Sequence, residues 1–191
     1  YLVFYMLSVI ITVFDEDVTV ITECVASLTT LKNLKQIIVI NDNPSRTLGN
    51  INFEKNLNIK LCEDNTNRGI SGARNYGLQF VSEKFVMFID ADDKVCALNS
   101  NKFDLKNISR KIDIIYFNYV IKNEIDEIRV ELTSNKEKLS LSGKSILLDY
   151  LNNCHSSSFF PFGWAKIYRT SFIKKNKIFF NEQLFQYEDI D

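Results

Sequence analysis

Three carboxylates follow a short apolar segment in the stretch FVMFIDADDKV. The segment is Phe85–Ile89, and it leads directly into Asp90, Asp92 and Asp93. Carboxylates this close raise one another's pKa unless a cation compensates their charge. Mn²⁺ and Mg²⁺ prefer oxygen ligands, and Mg²⁺ is usually bound by one or two carboxylates together with substrate phosphates. The pattern therefore predicts a divalent metal site for a diphosphate; the alternative is a solvated acidic turn.

The segments that must position these carboxylates alternate between strand and helix patterns. Continuous apolar, β-branched runs predict strands at Leu7–Val13, Gln36–Ile40, Asn58–Cys62 and Phe85–Ile89. Helical spacing predicts one helix with Ile21, Cys24, Val25 and Leu28 on its apolar face. After a turn marked by Gly69 and Gly72, it predicts a second helix with Ala73, Tyr76, Gly77, Phe80 and Val81. This order predicts an α/β fold with a mostly parallel central sheet flanked by helices.

Polar residues follow several of these strands, where parallel sheets place their ligands. The sequence contains neither G-x-G-x-x-G nor G-x-x-x-x-G-K-[ST], so a nucleotide would have to be held by side chains and the metal. Phe14 could pack on a base, Thr12 and Asp42 could hydrogen bond to the nucleoside, and Arg68 or Arg74 could bind phosphate oxygens. The alternative is that the aromatic belongs to the core and the lone Asp to a turn.

The second half of the chain follows a looser pattern. Antiparallel strands are predicted at Asp113–Tyr119 and Ile128–Leu132, a helix at Lys144–Leu151, a strand or turn at Phe162–Tyr168 and a helix at Thr170–Lys175. We interpret residues 96–191 as a smaller antiparallel elaboration of residues 7–95, within a single domain spanning 1–191. Because the chain ends at QYEDID without a stop signal, the native protein is expected to continue beyond Asp191.

The bulk composition excludes several classes of protein. The 191 residues are 46% hydrophobic and 25% charged, as in ordinary globular proteins, and the net charge of −1 carries no nucleic-acid signature. The four cysteines are widely spaced, which favours reduced core thiols. No apolar run approaches the roughly 20 residues that span a bilayer. Without a targeting segment, we expect a cytoplasmic protein.

Five ordered blocks carry a resemblance to a known family. They are SVIITVFD, IIVINDNPS, NRGISGARNYGL, FVMFIDADD and the GWAKIYRTSF…QYEDID segment, which together span Leu7 to Asp191. They resemble the family 2 glycosyltransferases of GT-A fold, of the inverting, bacterial surface-glycan type. The second block departs from the usual Asp-Asp-Gly-Ser, since it contains Asn41-Asp42-Asn43-Pro44.

The resemblance implies roles for the residues that match the family motifs. Thr12, Phe14 and Asp42 would lie at the nucleoside, usually uridine, and Arg68 near the pyrophosphate. Asp90 and Asp92 would match the Asp-x-Asp motif, with Asp92 as the direct metal ligand and Asp93 as its neighbour.

On the acceptor side, the resemblance implies a base and its surroundings. Asp189 would be the catalytic base, and Trp164, Lys166 and Glu188 would lie near the acceptor. The implied activity is transfer of a hexosyl or N-acetylhexosaminyl group from a UDP-sugar to a glycan or lipid-linked acceptor, in polysaccharide biosynthesis. Such an enzyme could lie at the inner face of the membrane, where these acceptors reside.

Three other functions stay open at this point. A haloacid dehalogenase-type phosphatase also has an Asp-x-Asp after a strand, but that strand normally opens the domain, whereas here it is the fourth. A sugar nucleotidyltransferase would need a glycine-rich basic loop after the first strand, where this chain has VFDEDV. A nucleotide-sugar-binding module without activity would keep Asp42 and Asp92 but would have no use for Asp189.

Overall fold

The described part of the chain is built around a six-stranded sheet with the strand order β3-β2-β1-β4-β8-β5. We analysed a computed structural model that describes residues 6–49, 51, 57–96, 105–122, 127–130, 142, 145 and 163–183. The strands are β1 (Leu7–Val13), β2 (Leu34–Asn41), β3 (Ile59–Glu63), β4 (Phe85–Asp90), β5 (Ile114–Tyr116), β6 (Tyr119–Lys122), β7 (Glu127–Val130) and β8 (Lys166–Arg169). β1 to β4 are parallel, β8 runs antiparallel to β4 and β5, and β6 pairs with β7 as a separate antiparallel ribbon.

Three described α-helices cover the faces of the sheet: α1 (Val18–Leu28), α2 (Gly69–Leu78) and α3 (Thr170–Asn176). Alternate residues of β1 face opposite layers, because successive side chains of a strand point to opposite faces. Val9 and Ile11 pack in the cluster that contains the apolar face of α1, whereas Ile10 packs with residues of α2 and α3. Burial on both faces explains why the strands are continuous apolar runs. The four predicted parallel strands and both predicted helices of the first half are confirmed.

Three predictions need correction. Gly72 does not belong to a turn: it lies inside α2, where an added Cβ would be 2.7 Å from the Cβ of Arg68, so glycine makes room for that arginine. The predicted strand Asp113–Tyr119 is two strands, because pairing with β8 ends at Tyr116 opposite Lys166, and the preceding Ala165 has a φ of 54° that departs from strand geometry. Phe80 and Val81 follow the end of α2 rather than extend it.

The remaining predictions for the second half agree with the structure in part. The predicted strand Ile128–Leu132 overlaps β7, and the predicted helix Thr170–Lys175 corresponds to α3. The predicted helix Lys144–Leu151 lies outside the described residues, apart from Ser145. Within the described part of the chain, no helix has the length and apolar character to cross a membrane.

Close packing of α2 on β1 gives a first testable prediction. A Cβ at Gly77 would lie 2.7 Å from Cγ2 of Ile10, which is fully buried in the sheet and has no room to move. Gly77→Ala gains about 1 kcal/mol of helix propensity but forces overpacking that costs about 1–3 kcal/mol. We expect a net loss of about 1 kcal/mol, seen in thermal unfolding as a Tm about 2–4 °C lower.

Gly49 provides the matched control. A Cβ there would lie 3.5 Å from its nearest neighbours, which is ordinary van der Waals contact. Gly49→Ala should therefore stay within about 0.5 kcal/mol of the parent protein. Equal melting temperatures for the two variants would show that α2 does not pack on Ile10 as described.

Candidate functional site

The parallel strands β1 to β4 bring their carboxyl ends to one edge of the sheet. In the strand register, Thr12 lies between Ile40 and Asp90, and Asn41 lies opposite Glu63. We call this the carboxyl edge and define it by the four strand-terminal residues Val13, Asn41, Glu63 and Asp90. The expectation that separate polar loops meet at one edge is therefore confirmed. Phe14, which directly follows β1, is 45% exposed there.

Asp42 connects the end of β2 to the start of α2. Its backbone N–H donates to Val13 O at 2.8 Å, and its Oδ1 accepts from the Arg68 N–H at 2.8 Å. Burial raises the pKa of Asp42, and the bonds from the amides of Arg68 and Gly69 oppose this rise. A carboxylate at a helix N-terminus is stabilised by the helix dipole. Asp42 thus fixes Arg68 at the carboxyl edge.

The Arg68 side chain lies between an acidic and an aromatic neighbour. Its guanidinium forms a two-pronged ion pair with Asp64, in which Nη1 lies 2.9 Å from Oδ1, and its Cζ lies 4.0 Å from the centre of the Tyr76 ring. This hydrogen bond lowers the pKa of Asp64. Exposed ion pairs contribute little to stability, so an incoming phosphate could displace Asp64 at small cost.

A network of amide side chains, which the sequence patterns did not reveal, shapes the same edge. Asn41 Nδ2 donates to Glu63 Oε1 at 3.0 Å. Asn43 Nδ2 donates to Phe14 O at 3.1 Å and to Asp15 Oδ1 at 2.9 Å. Both asparagines also accept backbone N–H groups two residues on, as in Asx turns. The departure from Asp-Asp-Gly-Ser therefore leaves a well-bonded turn that needs no glycine.

The acidic loop after β4 carries Asp90, Asp92 and Asp93. The Asp93 N–H donates to Asp90 O at 3.0 Å, which closes a tight turn, and the side chains of Asp92 and Asp93 are both exposed. Partial loss of hydration, and then the negative charges of Asp90 and Asp92, raise the pKa of Asp93 to about 6. The negative charges of this loop are thus only partly compensated by neighbouring positive charges.

One of these carboxylates already has a cationic partner. Arg74 Nη2 lies 3.0 Å from Asp90 Oδ1, and Arg74 is only 2% exposed. The predicted phosphate-binding residue Arg74 thus extends from α2 to the acidic loop. Its Cζ also lies 5.2 Å from the centre of the Phe180 ring.

The neighbouring Asn75 attaches the segment that follows α3 to α2. Its Nδ2 donates to Phe180 O and to Glu182 Oε1, both at 2.9 Å, and its Oδ1 accepts from the Phe180 N–H at 2.9 Å. Phe180 also packs edge-on against Phe88 of β4, with ring centres 4.9 Å apart. The consecutive residues Arg74 and Asn75 therefore join the acidic loop to the segment that leads towards the predicted base. Helical periodicity gave no signal for this role.

Two side chains of helix α1 form hydrogen bonds with the backbone of the acidic loop and the residues that follow it. Cys24 Sγ donates to Asp90 O at 3.7 Å, and Ser27 Oγ accepts from the Val95 N–H at 3.0 Å. Burial first, and then the aspartates of the loop, raise the pKa of Cys24 to about 12, so this thiol stays protonated. Cys24 and Cys62 are free and buried, as predicted, whereas Cys96 is exposed.

The predicted acceptor-side residues lie at the start of β8. Because β8 is antiparallel to β4, its first residues are at the same edge as Asp90. Lys166 is buried, with Nζ 5.2 Å from the centre of the Tyr116 ring, and Trp164 packs edge-on against Tyr119 at 4.8 Å. The predicted residues Glu188 and Asp189 lie outside the described residues.

The acidic loop suits a divalent cation with substrate oxygens as additional ligands. Within the described chain, no three or more His, Cys, Asp or Glu side chains are arranged to hold a metal ion by themselves. Mg²⁺ typically takes one or two carboxylates and completes its octahedron with phosphates and water. Of the predicted ligands, Asp92 is exposed, whereas Asp90 is bonded to Arg74.

Comparisons with known proteins agree with this geometry. Residues 8–96 match the family model described as glycosyl transferase family 2. The chain is 22% identical to EpsJ of Bacillus subtilis, an uncharacterized glycosyltransferase, over 96% of this chain and 54% of EpsJ. It is 28% identical to the poly(ribitol-phosphate) β-N-acetylglucosaminyltransferase TarS of Staphylococcus aureus, over 95% of this chain and 30% of TarS. The chain thus spans about half of the first relative and less than a third of the second.

Solved structures share the fold of this chain over nearly all of its length. The crystal structure of TarS residues 1–349 in complex with UDP matches 97% of this chain and 53% of that one, with a TM-score of 0.71 and 24% identity. The mannosyltransferase PcManGT of Pyrobaculum calidifontis, in complex with GDP-Man and Mn²⁺, matches 98% of this chain and 51% of that one, with a TM-score of 0.62 and 15% identity. The predicted fold and family are confirmed: residues 8–96 match glycosyl transferase family 2, and the fold is that of the GT-A glycosyltransferases.

Proposed function

We propose that this domain transfers a sugar from a UDP-sugar to a hydroxyl group of a glycan or lipid-linked acceptor, with inversion at the anomeric carbon. The observation that carries the proposal is the convergence of Asp42, Arg68 and the acidic loop on the carboxyl edge. A nucleoside diphosphate needs a nucleoside pocket, a cation for its phosphates and a space beyond them for the sugar. The family 2 matches and the UDP complex of TarS support this assignment.

The donor would lie along the carboxyl edge. Thr12, Phe14 and Asp42 would bind the nucleoside, and Arg68 would leave Asp64 to bind a phosphate. Asp90, held by Arg74, would face the sugar-proximal part of the donor. Residues 7–95 would thus form the donor-binding half of a single domain, and residues 96–191 the acceptor-side half.

Asp92 would hold Mn²⁺ or Mg²⁺, with Asp93 and the second oxygen of Asp90 close by. When bound, the cation supplies charge neutralisation for the departing nucleoside diphosphate. The Mn²⁺ complex of PcManGT, a protein of the same fold, supports the proposal that this domain uses a divalent metal.

The acceptor would approach from the side of β8. Trp164, Lys166 and Glu188 would surround its hydroxyl group, and Asp189 would take the proton as the oxygen attacks the anomeric carbon. A single displacement from the face opposite the leaving group inverts the configuration and requires only this one base. We place the enzyme in polysaccharide biosynthesis, in the cytoplasm and at the inner face of the membrane.

Calorimetric titration with UDP, in Mn²⁺ and in EDTA, tests the donor site. We expect UDP to bind in Mn²⁺ and to bind at least about tenfold more weakly in EDTA, because the metal offsets the repulsion between the phosphates and the acidic loop. GDP is the matched control and should bind more weakly than UDP. A folded protein that binds UDP under neither condition would refute the donor assignment, whereas UDP binding without turnover of any UDP-sugar would indicate a binding module.

A further inference from the structure

The charges of the domain are distributed unevenly between the two edges of the sheet. The carboxyl edge and its loops carry the acidic residues described above. The opposite edge, where β1 to β4 begin and β8 ends, carries exposed lysines. We call this the basic edge; in the described residues it includes Lys32, Lys35, Lys84, Lys174, Lys175 and Lys177.

Hydrogen bonds show that α3 belongs to this edge. The Thr170 N–H donates to Lys84 O at 2.9 Å, directly before β4 begins, and Lys174 Nζ donates to Val81 O at 3.3 Å. Among the described acidic residues near these lysines, Glu83 is half-buried, and Asp113 lies 3.6 Å from Arg169. Within the described residues, lysines therefore outnumber carboxylates on the edge that lies away from the donor site.

Two exposed apolar side chains lie next to these lysines. α3 ends in a left-handed Lys177 with a φ of 52°, and the Ile178 N–H donates back to Ile173 O at 3.1 Å. This turn presents Ile178, 42% exposed, and Phe179, 68% exposed. The next residue, Phe180, is held by Asn75 in the second half of α2, so the pair lies towards the basic edge.

We propose that the basic edge, with Ile178 and Phe179, docks the domain on an anionic phospholipid surface. Lysines beside an exposed aromatic and an aliphatic side chain are typical of interfacial membrane contacts, because the apolar groups enter the acyl boundary while the lysines meet anionic headgroups. A soluble polyanion would engage the lysines but would leave Phe179 in water. The proposal rests on the membrane location proposed above. In this orientation the carboxyl edge faces away from the bilayer, open to soluble nucleotide donors and to the far end of a glycan acceptor.

Vesicle sedimentation without any nucleotide tests the proposal independently of the transferase assignment. The chain should bind phosphatidylcholine vesicles containing 30% phosphatidylglycerol, but not pure phosphatidylcholine, and binding should fall as NaCl increases. Each lysine near an anionic surface contributes about a fivefold change in partitioning. We therefore expect Lys175→Gln/Lys177→Gln to bind about 25-fold more weakly, and Phe179→Ser to bind at least about fivefold more weakly.

Arg46→Gln/Lys94→Gln is the matched control, since it removes the same two positive charges on the opposite side of the domain and should bind vesicles like the parent chain. Circular dichroism and thermal unfolding show whether each variant is folded. Three results would overturn the proposal: no sedimentation with phosphatidylglycerol vesicles, equal loss in the control variant, or binding of soluble polyphosphate through Lys175 and Lys177 without binding to vesicles.

Discussion

Arg74→Met should destabilise the domain by about 3 kcal/mol. The guanidinium is buried and is paired with the Asp90 carboxylate at 3.0 Å. Removing one partner of such a pair leaves an uncompensated charge, which typically costs about 3–5 kcal/mol. We take the lower end because the Asp90 side chain is 29% exposed. For a domain of this size the loss corresponds to a Tm about 6–12 °C lower.

A double-mutant cycle separates the ion pair from packing. Arg74→Met/Asp90→Asn removes both charges, so the double variant should be about 1–3 kcal/mol more stable than the sum of the single changes. Urea unfolding with an unchanged m-value provides the measurement. A single Arg74→Met change that costs less than about 0.5 kcal/mol would show that the pair is not formed.

Arg169→Met serves as a comparison at the other edge of the sheet. Arg169 donates to the backbone carbonyls of Ser109 and Ile112, far from the acidic loop. Its loss should also destabilise the domain but should leave the affinity for UDP and Mn²⁺ unchanged in the folded protein. Arg74→Met, in contrast, should weaken that affinity, because it frees Asp90 and removes the contact with Phe180.

The parts of the fold that the sequence predicted well are those governed by local patterns. β1 and β4 were recognised because both faces of a central parallel strand are buried, which demands the uninterrupted runs LSVIITV and FVMFI. The convergence of Asp42 and Asp90 then follows from the geometry of a parallel sheet. Where a short antiparallel strand pairs with a distant partner, as β5 does with β8, the pattern of the strand alone could not show where pairing stops.

The supporting contacts of the site were not predictable, because they join residues far apart in the chain. Asn75 and Phe180 are 105 positions apart, and Asn43 and Phe14 are 29 apart. A hydrogen bond between such residues leaves no periodic trace in the sequence. For the same reason, the sequence did not reveal the ion pair between Arg74 and Asp90, which depends on the packing of α2 on the sheet. Binding of a phosphate by Arg74 stays a prediction.

Asp92→Asn should have opposite effects on UDP binding with and without metal. In Mn²⁺, we expect the affinity for UDP to fall by about fivefold or more, to the value that the variant shows in EDTA, because the metal no longer assists binding once its direct ligand is lost. In EDTA, the same change should strengthen UDP binding about two- to fivefold, because it removes one negative charge from a loop that repels the diphosphate. Calorimetric titrations under both conditions give the two values.

Asp93→Asn is the matched control, since it removes the same charge one residue further along the exposed loop. It should show the same modest gain in EDTA, but a loss of less than about twofold in Mn²⁺ if Asp92 is the direct ligand. In EDTA, where the pKa of Asp93 is raised to about 6, protonation below that pH should mimic this change in the parent protein. If both variants lost affinity equally in Mn²⁺, the two carboxylates would share the metal. If neither lost affinity, the acidic loop would act through its charge alone, and the metal assignment would be wrong.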